Sequence, residues 1–183
     1  IAGKKNKQLN ITDVVFLLGP RINAAGRIAH GKLAVSMLSS VDPDEVKTSC
    51  ETINEHNNER KELDSSITQS ALQMIEEAGE PERKSTVVFE KSWHKGVIGI
   101  VASRLIETHY RPTVVFTESN GVLAGSARSV KGFNIYEALE KCDDILEQFG
   151  GHFYAAGMTL AADRFEAFKN RFEEVVNDSI LPE

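Results

Sequence analysis

Cysteine is nearly absent from this chain: Cys50 and Cys142 are its only two among 183 residues, too few for a disulfide framework and too far apart for a metal-type pair. Nothing resembles a secretory signal peptide, and no apolar run is long enough to span a membrane. The chain therefore reads as soluble, reduced and cytoplasmic, with no membrane partner. Also missing are Asp-His-His, His-Glu-x-x-His and Walker-loop motifs. No constellation in the sequence can hold a catalytic metal pair, and the metal expected in the chain itself is none. The one tryptophan, Trp93, reads as core or interface filler rather than as a base-stacking platform. Because the chain opens on Ile1 rather than Met, it is expected to be a piece of something longer.

With 41% hydrophobic and 26% charged residues, the chain can bury a core and should hold one domain plus something extra. Its net charge of -6 argues against indiscriminate coating of nucleic acid, but the charge is unevenly spread. Residues 1–32 carry Lys4, Lys5, Lys7, Arg21, Arg27 and Lys32 against Asp13. Residues 91–131 carry Lys91, Lys95, Arg104, Arg111, Arg128 and Lys131 against Glu107 and Glu118. Acid dominates residues 42–82 and 132–183. The two basic stretches could form a local anion-binding face on an otherwise repelling body; the alternative is a solvated mixture of charges.

Residues 11–18 read as a short apolar helix or strand halted by Gly19-Pro20. The next run, Arg21-Ile22-Asn23-Ala24-Ala25-Gly26-Arg27, suits a turn that presents two guanidinium groups to an oxyanion, or else a capped loop with surface arginines. A small apolar helix follows through Leu33, Met37 and Leu38. Asp42-Pro43-Asp44-Glu45 is a helix start, with an Asp cap, Pro at the first helical position and Glu three residues after the cap. No Gly or Pro follows until Gly79, which predicts a helix of about 36 residues, or roughly 54 Å. Its seam of Val46, Cys50, Ile53, Asn57, Arg60, Asp64, Ile67, Ala71, Met74 and Ala78 is apolar at both ends and polar in the middle. Such a seam packs at each end and crosses solvent between, as in a helix that bridges two domains. Two helices broken near Asn57-Asn58 are the rival reading.

Beyond Glu80-Pro81-Glu82 the pattern turns to strand at residues 86–89. A loop at 92–96, a helix at 97–110, a strand at 112–117, a hairpin turn at Ser119-Asn120-Gly121 and a returning strand at 122–129 follow. Asn134, with Glu137 three residues on, opens a helix running towards Gln148. After a glycine-rich loop come a short strand at 158–160 and a last helix capped by Asp163, with Phe165, Phe168, Phe172, Val175 and Val176 on one face. The order β-α-β-β-α-β-α predicts an α/β (α+β) fold: a mixed β-sheet covered by helices, preceded by a helical segment and a long bridging helix.

Three loops in this second part carry candidate ligand groups. Strand alternation puts Ser126 and Arg128 on the same face, where a hydroxyl and a guanidinium can grip one phosphate together; the alternative is an exposed strand face with a surface salt bridge. His94 is either a ligand or a loop histidine bonded locally. In Phe149-Gly150-Gly151-His152-Phe153-Tyr154-Ala155-Ala156-Gly157, two glycines let backbone N–H groups approach a ligand and the imidazole adds a donor. Here too a second reading is open, a helix end capped by Gly150 with His152 incidental.

Four motifs occur together and in order: residues 19–27, Trp93-His94-Lys95-Gly96-Val97-Ile98-Gly99 on to Arg104, Gly125-Ser126-Ala127-Arg128-Ser129, and Gly150-Gly151-His152 with Ala155-Ala156-Gly157. In this the chain resembles the RecJ family, single-strand-specific 5′→3′ DNA exonucleases of the DHH phosphoesterase superfamily. The resemblance implies that residues 1–41 are the end of a DHH catalytic domain, 42–80 a linker helix and 81–183 a DHHA1 substrate-binding domain. It implies Mn²⁺ or Mg²⁺ in the intact enzyme, bound by the missing Asp-His-His domain. The partners it implies are single-stranded DNA with a 5′ end, the DHH domain of the same polypeptide and a single-strand-binding protein. Ser126 and Arg128 would hold the 5′-terminal phosphate, and Gly150, Gly151 and His152 a phosphate near the scissile bond. Arg27, with Arg21 and Asn23, would contribute from the linker side, and His94 and Arg104 from the second motif. A nanoRNase or cyclic-dinucleotide phosphodiesterase of the same superfamily, or a non-catalytic nucleic-acid-binding module, are the alternatives.

Overall fold

A computed structural model of the chain describes residues 8, 10–79 and 82–179. Lys4, Lys5, Lys7 and the Glu80-Pro81 break lie outside the described residues. The chain divides into two compact units, Ile1–Leu63 and Asp64–Glu183.

The described part of the first unit is helical. Helix α1 (Ile11–Asp13) runs through a π-helical segment, Val14–Leu18, into α2 (Gly19–Ile28), and α3 (Lys32–Ser39) follows. Gly19-Pro20 does not halt the helix. The Gly19 N–H reaches back to the Val14 carbonyl, and Pro20 falls in the first turn of α2, where no N–H is required. The expected turn at residues 21–27 is therefore helix. Ala25, Ala34, Met37 and Ile53 form the unit's small core.

Helix α4 (Pro43–Ala78) is unbroken over 36 residues, so the reading of two helices broken at Asn57-Asn58 is overturned. The middle of its seam does not cross solvent, because Asn57 and Asp64 are each only 2% exposed. Asn57 accepts a hydrogen bond from Arg60, and Asp64 accepts two from Arg104. Polar seam residues are thus buried with partners, as buried polar groups must be.

The second unit is a five-stranded mixed sheet. Strand β1 (Thr86–Phe89), helix α5 (Ile98–Thr108), strands β2 (Thr113–Ser119) and β3 (Val122–Arg128), helix α6 (Ile135–Glu140), strands β4 (Gln148–His152) and β5 (Ala155–Leu160) and helix α7 (Phe165–Ser179) follow in order. The sheet order is β1-β2-β3-β5-β4, parallel only between β1 and β2. The β2–β3 hairpin turns at Asn120 (φ 55) and Gly121 (φ 82), the left-handed pair that a tight two-residue turn demands. One face packs Val114, Phe116, Leu123 and Ala127 against α6 and α7 through Ile135, Leu139, Phe168, Phe172 and Val176. Helix α5 lies on β2 and β3, burying Val101, Ala102 and Leu105 completely.

Two expectations are corrected here. The helix opened by Asn134 stops at Glu140, and residues 148–157 are not a loop between a helix and a strand but most of the β4–β5 hairpin. Four strands were expected and five are present. Gly150 and Gly151 weaken the strand pattern, yet antiparallel pairing with β5 along Gln148–His152 makes the segment strand.

Glu173 of α7 ties down the approach to β1, accepting hydrogen bonds from the Lys84 N–H at 2.8 Å, the Ser85 N–H at 3.0 Å and the Ser85 hydroxyl. Burial alone would push this carboxyl up, but the Ser85 hydroxyl and the two N–H groups outweigh it and hold the group below its usual value. A depressed folded value contributes stability that is complete above the unfolded value of about 4.3 and is lost as pH falls through the folded one. Urea unfolding between about pH 5 and 3 should show a shallower acid loss for Glu173→Gln than for the wild type.

Candidate functional site

The antiparallel registers across β3, β5 and β4 assemble the site. Arg128 pairs with Ala155, and Ala155 with His152; Ser126 pairs with Gly157, and Gly157 with Gly150. Cross-strand partners share a face, so Ser126, Arg128 and His152 stand on one side of the sheet, with Ala155 between Arg128 and His152 and with Gly157 and Gly150 bare in the row that Ser126 begins. At 4.7–4.9 Å per strand, Arg128 and His152 are separated by about 10 Å. A cleft of about 440 Å³ opens on this face, lined among others by Lys95, Ser126, Gln148, Gly150, Gly157 and Thr159.

The first turn of α5 closes in at Gly99. A Cβ there would lie 2.9 Å from both Ser126 Oγ and Arg128 Nη2. No side chain caps α5, so the positive end of its dipole adds to the field around the Ser126–Arg128 pair. Arg128 Nη1 donates to Ser126 Oγ at 3.1 Å and to the Ala127 carbonyl at 2.7 Å. Ser126 Oγ accepts, and its own proton is left to donate. The Tyr154 N–H donates to His152 Nδ1 at 3.3 Å, so the neutral ring carries its proton on Nε2 and can donate it.

The glycines of the hairpin separate into two kinds. A Cβ on Gly151 would lie 2.5 Å from Ala156 Cα, whereas Gly150 has nothing within 4 Å and Gly157 only the Gly125 carbonyl at 3.8 Å. Gly151 is fixed by packing. Gly150 and Gly157 have no packing reason to lack a side chain, and a bare cleft floor is what their absence supplies.

Other candidates are placed differently. Arg104 donates through Nε and Nη2 to the buried Asp64 at 2.7 and 2.9 Å, and Asp64, through these hydrogen bonds and its charge, holds the guanidinium above its ordinary value. Arg104 is thus engaged in positioning α5 on α4 within the second unit. His94 Nδ1 accepts from the Gly96 N–H at 3.1 Å, a local bond in the loop before α5. Arg21, Asn23 and Arg27 belong to the first unit. Arg21 donates to Asn54 Oδ1 at 2.8 Å and to the Leu17 carbonyl at 2.6 Å, while Asn23 and Arg27 are exposed on α2. Six residues apart on a helix, Arg21 and Arg27 point about 120° apart and do not present a joint grip.

The basic stretch at 91–131 is divided likewise. Lys91 pairs with Glu118 at 3.0 Å, Arg104 with Asp64, and Arg111 with Thr86 and the Arg83 carbonyl, whereas Lys95 lines the cleft and Arg128 stands beside Ser126. Lys95, Gln148 and Thr159 were not singled out from the sequence. Lys95 could have been, from its place beside His94 in a basic run; the other two meet only through the register Gln148↔Thr159.

The DHHA1 domain family matches residues 83–178, and the chain belongs to that family. Over its whole length it is similar to RecJ. It is 40% identical over 185 residues to the single-stranded-DNA-specific exonuclease RecJ of Bacillus subtilis, covering 100% of this chain and 23% of that protein. It is 33% identical over 190 residues to that of Escherichia coli, covering 100% and 33%. Among solved structures, RecJ from Thermus thermophilus in complex with Mg²⁺ superposes with a TM-score of 0.85 at 31% identity, over 99% of this chain and 27% of that one. Exonuclease RecJ bound to manganese gives 0.80 at 33% identity, over 94% and 42%. The chain spans only about a quarter to a third of the curated relatives named. Among the described residues no group of three or more His, Cys, Asp or Glu side chains could hold a metal ion, so the divalent ions of those structures find no fitting ligand set in them. No helix among the described residues is long and apolar enough to cross a membrane.

Gly150→Val should leave the midpoint of urea unfolding nearly unchanged, within about 0.5 kcal/mol, while filling the cleft. Gly151→Ala should cost about 1–3 kcal/mol through collision with the facing strand. Arg104→Ala should cost about 1.5–3 kcal/mol by loss of charge-assisted bonds, read as a lower midpoint of urea unfolding.

Proposed function

We propose that this chain is the substrate-holding part of a RecJ-type exonuclease that degrades single-stranded DNA from its 5′ end by metal-dependent phosphodiester hydrolysis. The observation that carries this reading is the shared sheet face that bears Ser126, Arg128 and His152, with Gly157 and Gly150 bare in the row of Ser126. Arg128 and the Ser126 hydroxyl hold the 5′-terminal phosphate, assisted by the positive end of α5. Gly150, Gly151 and His152 Nε2–H, on the strand two places across the sheet from Arg128, hold a phosphate near the scissile bond. Lys95 adds positive charge at the rim. Residues 1–41 are then the end of the catalytic DHH domain and 42–80 the linker, with Arg27 contributing from that side. The Mn²⁺ or Mg²⁺ that would activate the attacking water belongs to the rest of the enzyme, and the isolated chain binds without hydrolysing.

The same reading carries a cytoplasmic location, a role in DNA repair and recombination, and a single-strand-binding protein as a partner on the substrate. Similarity to RecJ over the whole of this chain favours it over a nanoRNase or a cyclic-dinucleotide phosphodiesterase. Titration of the chain with 5′-phosphorylated and 5′-hydroxyl single-stranded DNA is the test. Arg128→Ala should weaken binding of the phosphorylated strand by about 1.5–3 kcal/mol, ten-fold or more, and leave the hydroxyl strand nearly unaffected. Equal weakening of both would remove the 5′-phosphate assignment, and indifference of both would remove the grip.

A further inference from the structure

The tip of the β4–β5 hairpin presents two aromatic rings beside the phosphate grip. Phe153 and Tyr154 are 38% and 56% exposed. Among the described residues of the second unit, the other large apolar side chain exposed is Tyr110, whose hydroxyl accepts from the Lys131 N–H at 3.2 Å. Phe153 and Tyr154 fill a two-residue turn that joins His152 to its register partner Ala155, in the same cross-strand row as Arg128.

The turn is held by its backbone. The Ser129 N–H donates to the Tyr154 carbonyl at 3.0 Å, the Ile135 N–H to the Phe153 carbonyl at 3.1 Å, and the Tyr154 N–H to His152 Nδ1 at 3.3 Å. Neither ring is needed for these bonds. The rings lean on each other with centroids 4.7 Å apart and planes at 61°, a favourable edge-to-face arrangement. Two large aromatic side chains are therefore exposed on an anchored turn adjacent to His152.

We propose that Phe153 and Tyr154 form a stacking platform for a nucleobase of the strand whose phosphates lie between Arg128 and His152. This rests on the function proposed above and adds a base subsite to it. Stacking on an aromatic face is tolerant of sequence, because every base has a π-face. The platform would grip a nucleotide near the 5′ end whatever its identity, and would orient it while the phosphates are held. Anchoring of the turn means that little order has to be gained on binding.

The test titrates the 183-residue chain with 5′-phosphorylated oligothymidylate at low salt. A single 2-aminopurine is placed at each of the first three positions in turn, and parallel strands carry an abasic site there. The wild type should quench 2-aminopurine at one position and bind the strand that is abasic at that position about ten-fold more weakly. The double variant Phe153→Leu/Tyr154→Leu keeps the backbone anchors and apolar bulk. It should lose the quench, bind the intact strand about ten-fold more weakly and be indifferent to the abasic site; circular dichroism checks its fold. Should the double variant misfold, Phe153→Leu and Tyr154→Leu singly give the same readout in smaller steps. Binding that Arg128→Ala weakens, but with quench and affinity unchanged in the leucine variants, would overturn the platform and leave the phosphate grip standing. Absence of any strand binding by the wild type would overturn both.

Discussion

Everything at the candidate site depends on the register in which β5 lies between β3 and β4. Side chains alternate faces along a strand, so a slip of one residue would send Ser126, Arg128 or His152 into the core and bring apolar residues out to the cleft. Steric constraints on glycine hold this register. Gly151 admits no side chain against Ala156, and a Cβ on Gly125 would meet Met158 Sδ at 2.8 Å and the Phe116 ring. The Asn120-Gly121 turn starts the count for β2 and β3. The cleft thus rests on close backbone approach within the sheet as much as on charge.

The second support is the ion pair of Arg104 with Asp64. It joins α5 to the part of α4 that lies in the second unit through two short hydrogen bonds to a carboxylate that is almost wholly buried. Replacing either partner would leave a charge without its counterpart, which is where such a pair derives its importance. The first turn of α5 packs on Ser126 and Arg128 through Gly99, so what fixes α5 also fixes one wall of the cleft. An arginine that is not in the cleft therefore still shapes it.

Much of the fold was legible locally. Hydrophobic runs marked β1, β2 and β3, caps and breakers marked α4, and the aromatic stripe at Phe165, Phe168 and Phe172 marked α7. Gly19-Pro20 reads as a stop, yet a local π-turn carries the helix through it. The other misreadings share one cause, which is that local signals were overridden by pairing with other segments. Gly150-Gly151 reads as a loop, yet pairing with β5 makes it strand. Arg104 reads as a free cation, yet Asp64, forty residues earlier, binds it.

By itself the sequence determined that Ser126 and Arg128 share a face, that His152 is flanked by glycines, and that α4 is long, because strand alternation, side-chain absence and helix propensity are properties of neighbouring residues. Only the tertiary structure decided that His152 stands in the same row as Arg128, that Gly150 is bare for the cleft while Gly151 is bare for packing, and which cations remain at the site. Those are questions of register and pairing between distant segments, and no local pattern encodes the distance between two strands that meet only after the chain has folded.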